Sequence, residues 1–169
     1  TYLDADPAKV CTAGQGLAPE FTELAARHPK VVPERITLLC VGQLSVKKNV
    51  AWLVRVVSEG VVSGALPPMR LVIAGGRGHG YADIAAALRE AGGLVEWRES
   101  PPLAELVGLY CSSTAVVLPS LREGFGRPIL EAMVCDKPIV ASRIPATLEL
   151  AGDGAEFFSL GDRSEFYEA

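Results

Sequence analysis

Ala115-Val116-Val117-Leu118-Pro119-Ser120-Leu121-Arg122-Glu123-Gly124-Phe125-Gly126-Arg127-Pro128-Ile129-Leu130-Glu131-Ala132-Met133 is the stretch on which the fold turns. A continuous apolar run stops at Pro119, a loop holding Gly124 and Gly126 follows, and Pro128 opens a segment of helix formers. The order is strand, loop, helix. Proline at the first helical position gives up no needed N–H and already has helical φ, so the helix is expected from Pro128, with Glu131 in its first turn. Gly124 and Gly126 let the backbone come close to a ligand, and the N–H groups of Arg127, Ile129 and Leu130 form a helix N-terminus carrying about half a positive charge. An anion, phosphate above all, suits that spot. The carboxylates of Glu123 and Glu131 do not suit a bare phosphate. A carboxylate accepts two hydroxyl hydrogen bonds well, so the pair fits a ligand that is part phosphate and part polyol. The plainer reading leaves Glu131 complementing the helix dipole and Glu123 as a solvated loop charge.

Working outward, Ile36-Thr37-Leu38-Leu39-Cys40-Val41 reads as a buried strand, followed by Gly42 to Asn49 and an amphipathic helix over about residues 50 to 59. Lys47 and Lys48 fall just past a strand's carboxyl end, where α/β proteins bind ligands, and are phosphate candidates or a solvated turn. Gly60 to Pro68 reads as a connection, Arg70 to Ala74 as the next strand, and Gly75-Gly76-Arg77-Gly78-His79-Gly80 as a turn before a helix from Tyr81 to about Glu90. A dinucleotide reading of that turn, with Glu96 as ribose partner, fits poorly because the third glycine would fall on Tyr81. Further strands are expected at Leu94 to Trp97, Lys137 to Ala141 and Ala155 to Phe158. Helices are expected at Leu103 to Cys111, around Glu149 and from Asp162, with Trp97 read as core. Upstream, Val10-Cys11-Thr12 reads as extended and runs into Ala13-Gly14-Gln15-Gly16-Leu17, where Gly16 is a loop glycine, and Glu20 to Arg27 reads as a short helix. This alternation implies a single α/β domain over residues 1–169, a Rossmann-like open parallel sheet with helices on both faces. The candidate residues follow strand carboxyl ends, so they are expected to converge on one cleft.

Composition narrows the class. With 49% hydrophobic and 21% charged residues over 169, the chain can bury a core without disulfides. A mean hydropathy of +0.27 suits strands buried on both faces. No apolar run approaches the roughly 20 residues of a membrane span. A soluble, cytoplasmic protein is expected. A net charge of −4 and a pI of about 5.2 argue against a nucleic-acid surface. Cys11, Cys40, Cys111 and Cys135 form no C-x-x-C pair and read as small buried hydrophobes, while His28 and His79 are too few for a histidine metal centre.

Glu123 through Glu131 resembles the Glu-x7-Glu signature of retaining glycosyltransferases. With Pro119-Ser120 before it and Ala132-Met133 after it, the stretch resembles glycosyltransferase family 4. From Leu38 to Phe158 the segments follow the order of that family's C-terminal, nucleotide-sugar-binding domain. The resemblance implies one half of a GT-B fold, in an enzyme that moves a hexosyl group from a nucleoside-diphosphate sugar (UDP or GDP) to a glycan, lipid or other acceptor. Retention of configuration and no metal or other cofactor are implied too. It also implies an N-terminal acceptor-binding domain that this chain lacks, with any peripheral membrane contact made through that domain. Apolar surface is then expected at the cleft edge near Ser120 and Ile144.

Residue by residue, the resemblance gives Glu131 the ribose hydroxyls and Glu123 the donor sugar. Lys48 and the N–H groups of Gly124, Phe125 and Gly126 meet the departing diphosphate. The Arg98 backbone and Leu106 meet the nucleobase, and Gly75, Gly76, Ser120 and Ile129 complete the donor site. Gln43 stands where the family carries an arginine. The loss of one charge-assisted phosphate contact is worth about 1.5–3 kcal/mol, with Arg77, Arg98 and Arg127 as candidates to compensate. A nucleotide-sugar-binding module without catalysis, and a GT-B epimerase or phosphorylase, are the alternatives.

Overall fold

A computed structural model describes residues 15–29 and 31–169. The expected extended stretch at Val10 to Thr12, Cys11 and Gly14 lie outside the described residues; Gly16 lies in neither a helix nor a strand. In chain order the elements are α1 (Pro19–Arg27), β1 (Ile36–Val41), α2 (Val50–Ser63), β2 (Met69–Ala74), α3 (Tyr81–Ala91), β3 (Val95–Arg98), α4 (Leu103–Ser112), β4 (Ala115–Leu118), α5 (Arg127–Val134), β5 (Ile139–Ser142), α6 (Pro145–Ala151), β6 (Glu156–Phe158) and α7 (Arg163–Glu168). The strands form one six-stranded sheet in the order β3-β2-β1-β4-β5-β6. Every neighbouring pair is parallel.

Strand side chains alternate between the two faces, and each face carries its own core. Leu39, Val72, Val116 and Leu118 pack with Phe21, Val107, Tyr110 and Ile129. Cys40, Leu71, Ile73 and Val117 pack on the other side with Leu53, Val56, Ile84, Phe158 and Phe166. This explains the near-continuous apolar runs: a strand covered on both sides has no polar alternate.

Two boundaries differ from expectation for reasons of packing. Gly60 does not end a helix; α2 runs on to Ser63 and stops at Gly64, whose φ is +80°. A Cβ on Gly60 would lie 2.8 Å from Leu66 Cδ1 and 3.0 Å from Tyr167 Cε1, so the glycine makes room for those side chains. Likewise α5 starts at Arg127, because Gly126 at φ +96° turns the chain into the helix one residue early. Glu131 therefore lies in the second turn, and the Ile129 N–H donates to the Gly126 carbonyl at 2.8 Å. Leu94 belongs to a short 3-10 turn, Gly92–Leu94, and β3 extends to Arg98. The remaining elements match their expected positions within one or two residues, α2 apart.

Cys40, Cys111 and Cys135 are free and buried. Burial pushes the Cys40 thiol from 9.0 up to about 12, and burial followed by the Cys111 contact does the same for Cys135. Burial, then the Glu131 carboxylate, pushes the Tyr110 hydroxyl well above its ordinary 10.0. The folded chain thus keeps protons that the unfolded chain gives up at 9.0 and 10.0, so stability falls as pH rises above those values. Thermal melts at stepped pH should show a flat Tm up to pH 9 and a steep fall between 9 and 12. A flat Tm across that window would show these groups to be open to solvent. Among the described residues no helix is long and apolar enough to cross a membrane.

Candidate functional site

The strand order reverses between β1 and β4, and in an open parallel sheet the loops leaving those two strands diverge and open a crevice. The β1 loop is held by the β2 loop, which continues the ladder past the strands. Gly42 N–H donates to the Ala74 carbonyl at 2.9 Å, Leu44 N–H to Gly76 at 2.8 Å, and Gly78 N–H to Leu44 at 2.9 Å. The glycines of the 75–80 turn serve this packing. A Cβ on Gly80 would meet Val46 Cγ2 at 2.4 Å, and one on Gly78 would meet Gln43 Cγ at 2.8 Å. Trp97, half-buried, donates its indole N–H to the Gly75 carbonyl at 2.9 Å and fixes the turn from below.

The β4 loop is tied from the opposite side by a chain of polar contacts. Thr147 donates its hydroxyl to the Ser142 carbonyl at 2.6 Å, and Ser142 donates to the Ser120 carbonyl at 2.6 Å. Ser120 in turn donates its hydroxyl to Glu123 Oε1 at 2.6 Å, and Lys48 Nζ meets the same oxygen at 2.5 Å. The Lys48 and Glu123 side chains are 14% and 8% exposed. The Leu121 N–H closes the tie by donating to the Lys47 carbonyl at 2.8 Å. Three loops thus place one lysine and one carboxylate together in a nearly dry position. Ser120 and Ile144 are themselves buried, at 1% and 6% exposure, and the exposed apolar side chains expected near them are those of Leu121 and Leu148.

This pair sits in a cleft of about 770 Å³ whose lining includes Glu123, Gly124, Phe125, Gly126, Arg127 and Glu149. Among the described residues the N–H groups of Gly124, Phe125, Gly126 and Arg127 have no hydrogen-bond partner, so the cleft wall is a set of unsatisfied donors at the α5 N-terminus. A Cβ on Gly124 would meet nothing within 4 Å. The fold therefore makes no demand for glycine there, and what the missing side chain leaves open is cleft. On the other side of Lys48 lies a hollow of about 400 Å³ lined by Gly42, Gln43, Gly75, Gly76, Ser100 and Leu106 among others. A Cβ on Gly42 would lie 3.0 Å from Lys48 Cε, so the lysine stem runs along the border between hollow and cleft.

The candidates expected in a single cleft thus line two spaces, with Lys48 in the lining of the larger and its stem against Gly42 of the smaller. Several candidates stand outside both linings. Glu131 is buried; it accepts the Tyr110 hydroxyl on Oε2 at 2.6 Å and faces Arg127 Nη2 through Oε1 at 3.5 Å. Ile129 is fully buried in the core, so its side chain packs rather than binds. The Arg98 guanidinium turns to Glu96 and to Glu105, and the Arg98 carbonyl accepts the Gly75 N–H at 3.0 Å. Because β3 includes Arg98, the backbone just past that strand is Glu99 and Ser100, and Ser100 lines the hollow. Gln43 lines the hollow too and donates Nε2 to the Arg77 carbonyl at 3.3 Å. Gln15, Ser100 and Glu149 were missed as lining residues: no local pattern in the sequence marks them, since only the packing of distant loops brings them to the site. No group of three or more His, Cys, Asp or Glu side chains that could hold a metal ion occurs among the described residues.

Known proteins share this frame. The family Glycosyl transferases group 1 matches residues 35–169. O-antigen chain mannosyltransferase B of Escherichia coli is 33% identical over 124 residues, covering 68% of this chain and 30% of that protein. D-inositol 3-phosphate glycosyltransferase of Thermobifida fusca (strain YX) is 30% identical over 167 residues, covering 90% of this chain and 38% of that protein. The chain spans 30% and 38% of the length of these two relatives. A solved structure of Anabaena Alr3699/HepE in complex with UDP and glucose is similar in fold, with a TM-score of 0.67 and 20% identity over 90% of this chain and 42% of that one. By the family match over most of its length, and by a fold that agrees with it, the chain belongs to the glycosyl transferases group 1.

Proposed function

We propose that this chain is the donor-binding half of a retaining, metal-independent glycosyltransferase that passes a hexosyl group from a nucleoside-diphosphate sugar to an acceptor held by the rest of the protein. The observation that carries this reading is the Lys48–Glu123 pair in the cleft, with the lysine stem against Gly42 of the hollow and the unpartnered N–H groups of Gly124 to Arg127 beside it. The hollow, flanked by Leu106 and the Ser100 backbone, takes the base. Lys48 and the N–H groups take the diphosphate, and Glu123 contacts the sugar. In such a transfer the bond between the anomeric carbon and the diphosphate oxygen breaks, and the leaving group gains negative charge. Donors fixed in advance around that oxygen stabilise the departing anion without reorganising, which is usually the largest single contribution to such catalysis.

The relatives support the class: one is named a mannosyltransferase, and the Anabaena structure holds UDP and glucose. That the relatives run well beyond this chain supports an acceptor-binding domain elsewhere in the protein, so the chain alone is expected to bind donor and transfer little. A second reading, a binding module without catalysis, draws on Gln43, a neutral side chain where an arginine would serve the diphosphate.

Calorimetric titration with UDP, GDP, ADP and NAD tests the proposal. One diphosphate should bind saturably and NAD should not. Gly124→Ala then provides a probe that spares the fold, because the added methyl meets only cleft space. It should leave Tm unchanged while weakening the diphosphate roughly tenfold, about 1.4 kcal/mol. No binding of any diphosphate by the wild-type chain would sink the donor-site reading.

A further inference from the structure

We propose that Arg127 supplies the second cation for the donor's diphosphate, taking over the task that Gln43 cannot perform; this rests on the donor-site reading above. A diphosphate needs more positive charge than one lysine provides when that lysine already faces Glu123 at 2.5 Å. Among the described residues the cleft is lined by two cations, Lys48 and Arg127, and two carboxylates, Glu123 and Glu149. Without Arg127 the lining would carry net negative charge and repel a diphosphate.

Of the other arginines near the site, Arg122 lines a separate pocket with Gln43, Lys47 and His79, and two are committed to carboxylates. Arg77 is paired with Glu99 at 2.9 Å and lies over the Tyr81 and Trp97 rings at 5.1 and 5.4 Å. Arg98 is turned to Glu96 and Glu105 and lines neither space. Arg127 is different. Its side chain is 62% exposed, and its partner, Glu131 Oε1, is 3.5 Å away, at the long limit of a hydrogen bond. The guanidinium is exposed and its contact is long, but Glu131 is only 7% exposed, so a phosphate that draws Arg127 away uncovers a buried carboxylate, and a ligand hydroxyl on Oε1 must offset that cost. The planar fork of arginine then meets phosphate oxygens with two parallel N–H donors, beside the backbone N–H of the same residue.

The exchange also serves Glu131. Its Oε2 is held by the Tyr110 hydroxyl, while Oε1 is covered by Arg127. When Arg127 swings to the diphosphate, Oε1 is uncovered for a hydroxyl of the same ligand. One side chain thereby couples phosphate binding to the exposure of a carboxylate one turn further along α5.

The test compares wild type, Arg127→Ala and Arg127→Ala/Gln43→Arg in the 169-residue chain, using whichever of UDP, GDP and ADP binds, and the matching nucleoside. Arg127→Ala should weaken the diphosphate tenfold to a hundredfold and leave the nucleoside within twofold. Gln43→Arg in that background should recover most of the loss. Equal diphosphate affinity in wild type and Arg127→Ala overturns the proposal, as does an equal loss for diphosphate and nucleoside, or a double variant no better than the single one. If the wild type binds none of the diphosphates, the donor-site reading fails and takes this inference with it. Wild-type binding with an indifferent Arg127→Ala sinks the inference alone.

Discussion

Gly75→Ala is expected to destabilise the fold by about 3–5 kcal/mol, placing it in the tail of single substitutions where a named steric cause is required. The cause is direct. A Cβ on Gly75 would lie 2.0 Å from the Gly42 carbonyl oxygen and 2.6 Å from its carbon, and both are backbone atoms with no rotamer to escape into. At φ +156° the residue also sits where L side chains rarely go. The chain can relieve the clash only by parting the β1 and β2 loops. That breaks the Gly42 bond to Ala74 and the Gly75 bond to Arg98, and loosens the indole of Trp97 from the Gly75 carbonyl. For a chain of this length a loss of 3–5 kcal/mol lowers Tm by roughly 6–20 °C. Gly93→Ala is the control, since a Cβ there would meet nothing within 4 Å; its Tm should stay within about 2 °C of wild type. A Gly75→Ala variant that melts like the control would show that the two loops do not touch.

Those same glycines show what a sequence discloses and what it withholds. The apolar runs at Ile36 to Val41 and Ala115 to Leu118 coincide with β1 and β4. Strands covered on both faces have only apolar choices, so their ends are marked by the first polar or proline residue. The order of strands and helices, the Rossmann-like sheet and the glycine loop before α5 follow from such local signals. Gly60 does not, because its reason is Leu66 and Tyr167, the latter more than 100 residues away, and a local reading takes any glycine as a break. The fate of Arg98 is partly legible: Glu96, two residues back on the same face of β3, takes its charge, while Glu105 reaches it only because the first turn of α4 folds back beside the strand. Ser120 and Ile144 are buried for a reason no local signal gives: the hydroxyls of Ser142 and Thr147 pull both loops inward, and their neighbours Leu121 and Leu148 carry the exposed apolar surface.

Lys48→Met is the substitution with the largest expected effect on function, and its effects separate into two measurements. The first is stability. Removing the ammonium leaves the Glu123 carboxylate, 8% exposed, with the Ser120 hydroxyl as its one partner among the described residues. A charge stranded in so dry a place costs about 2–4 kcal/mol, somewhat less than in a fully enclosed pair because Lys48 retains 14% exposure. The second is ligand binding: the lysine at the border of hollow and cleft is gone, and with it the charge that meets the diphosphate, so diphosphate binding should fall a hundredfold or more. Glu123→Gln in the Lys48→Met background tells the two apart. The neutral amide no longer needs a cation and can still take the Ser120 hydroxyl, so Tm should return to within a few degrees of wild type. Diphosphate binding should stay lost, because no positive charge has been restored. A double variant that regains both would mean that Lys48 acts on the ligand only by holding Glu123 in place. A single variant as stable as wild type would mean that Glu123 finds another partner once the lysine is removed, and that the loops from β1 and β4 are joined through the Leu121 N–H and the Lys47 carbonyl instead.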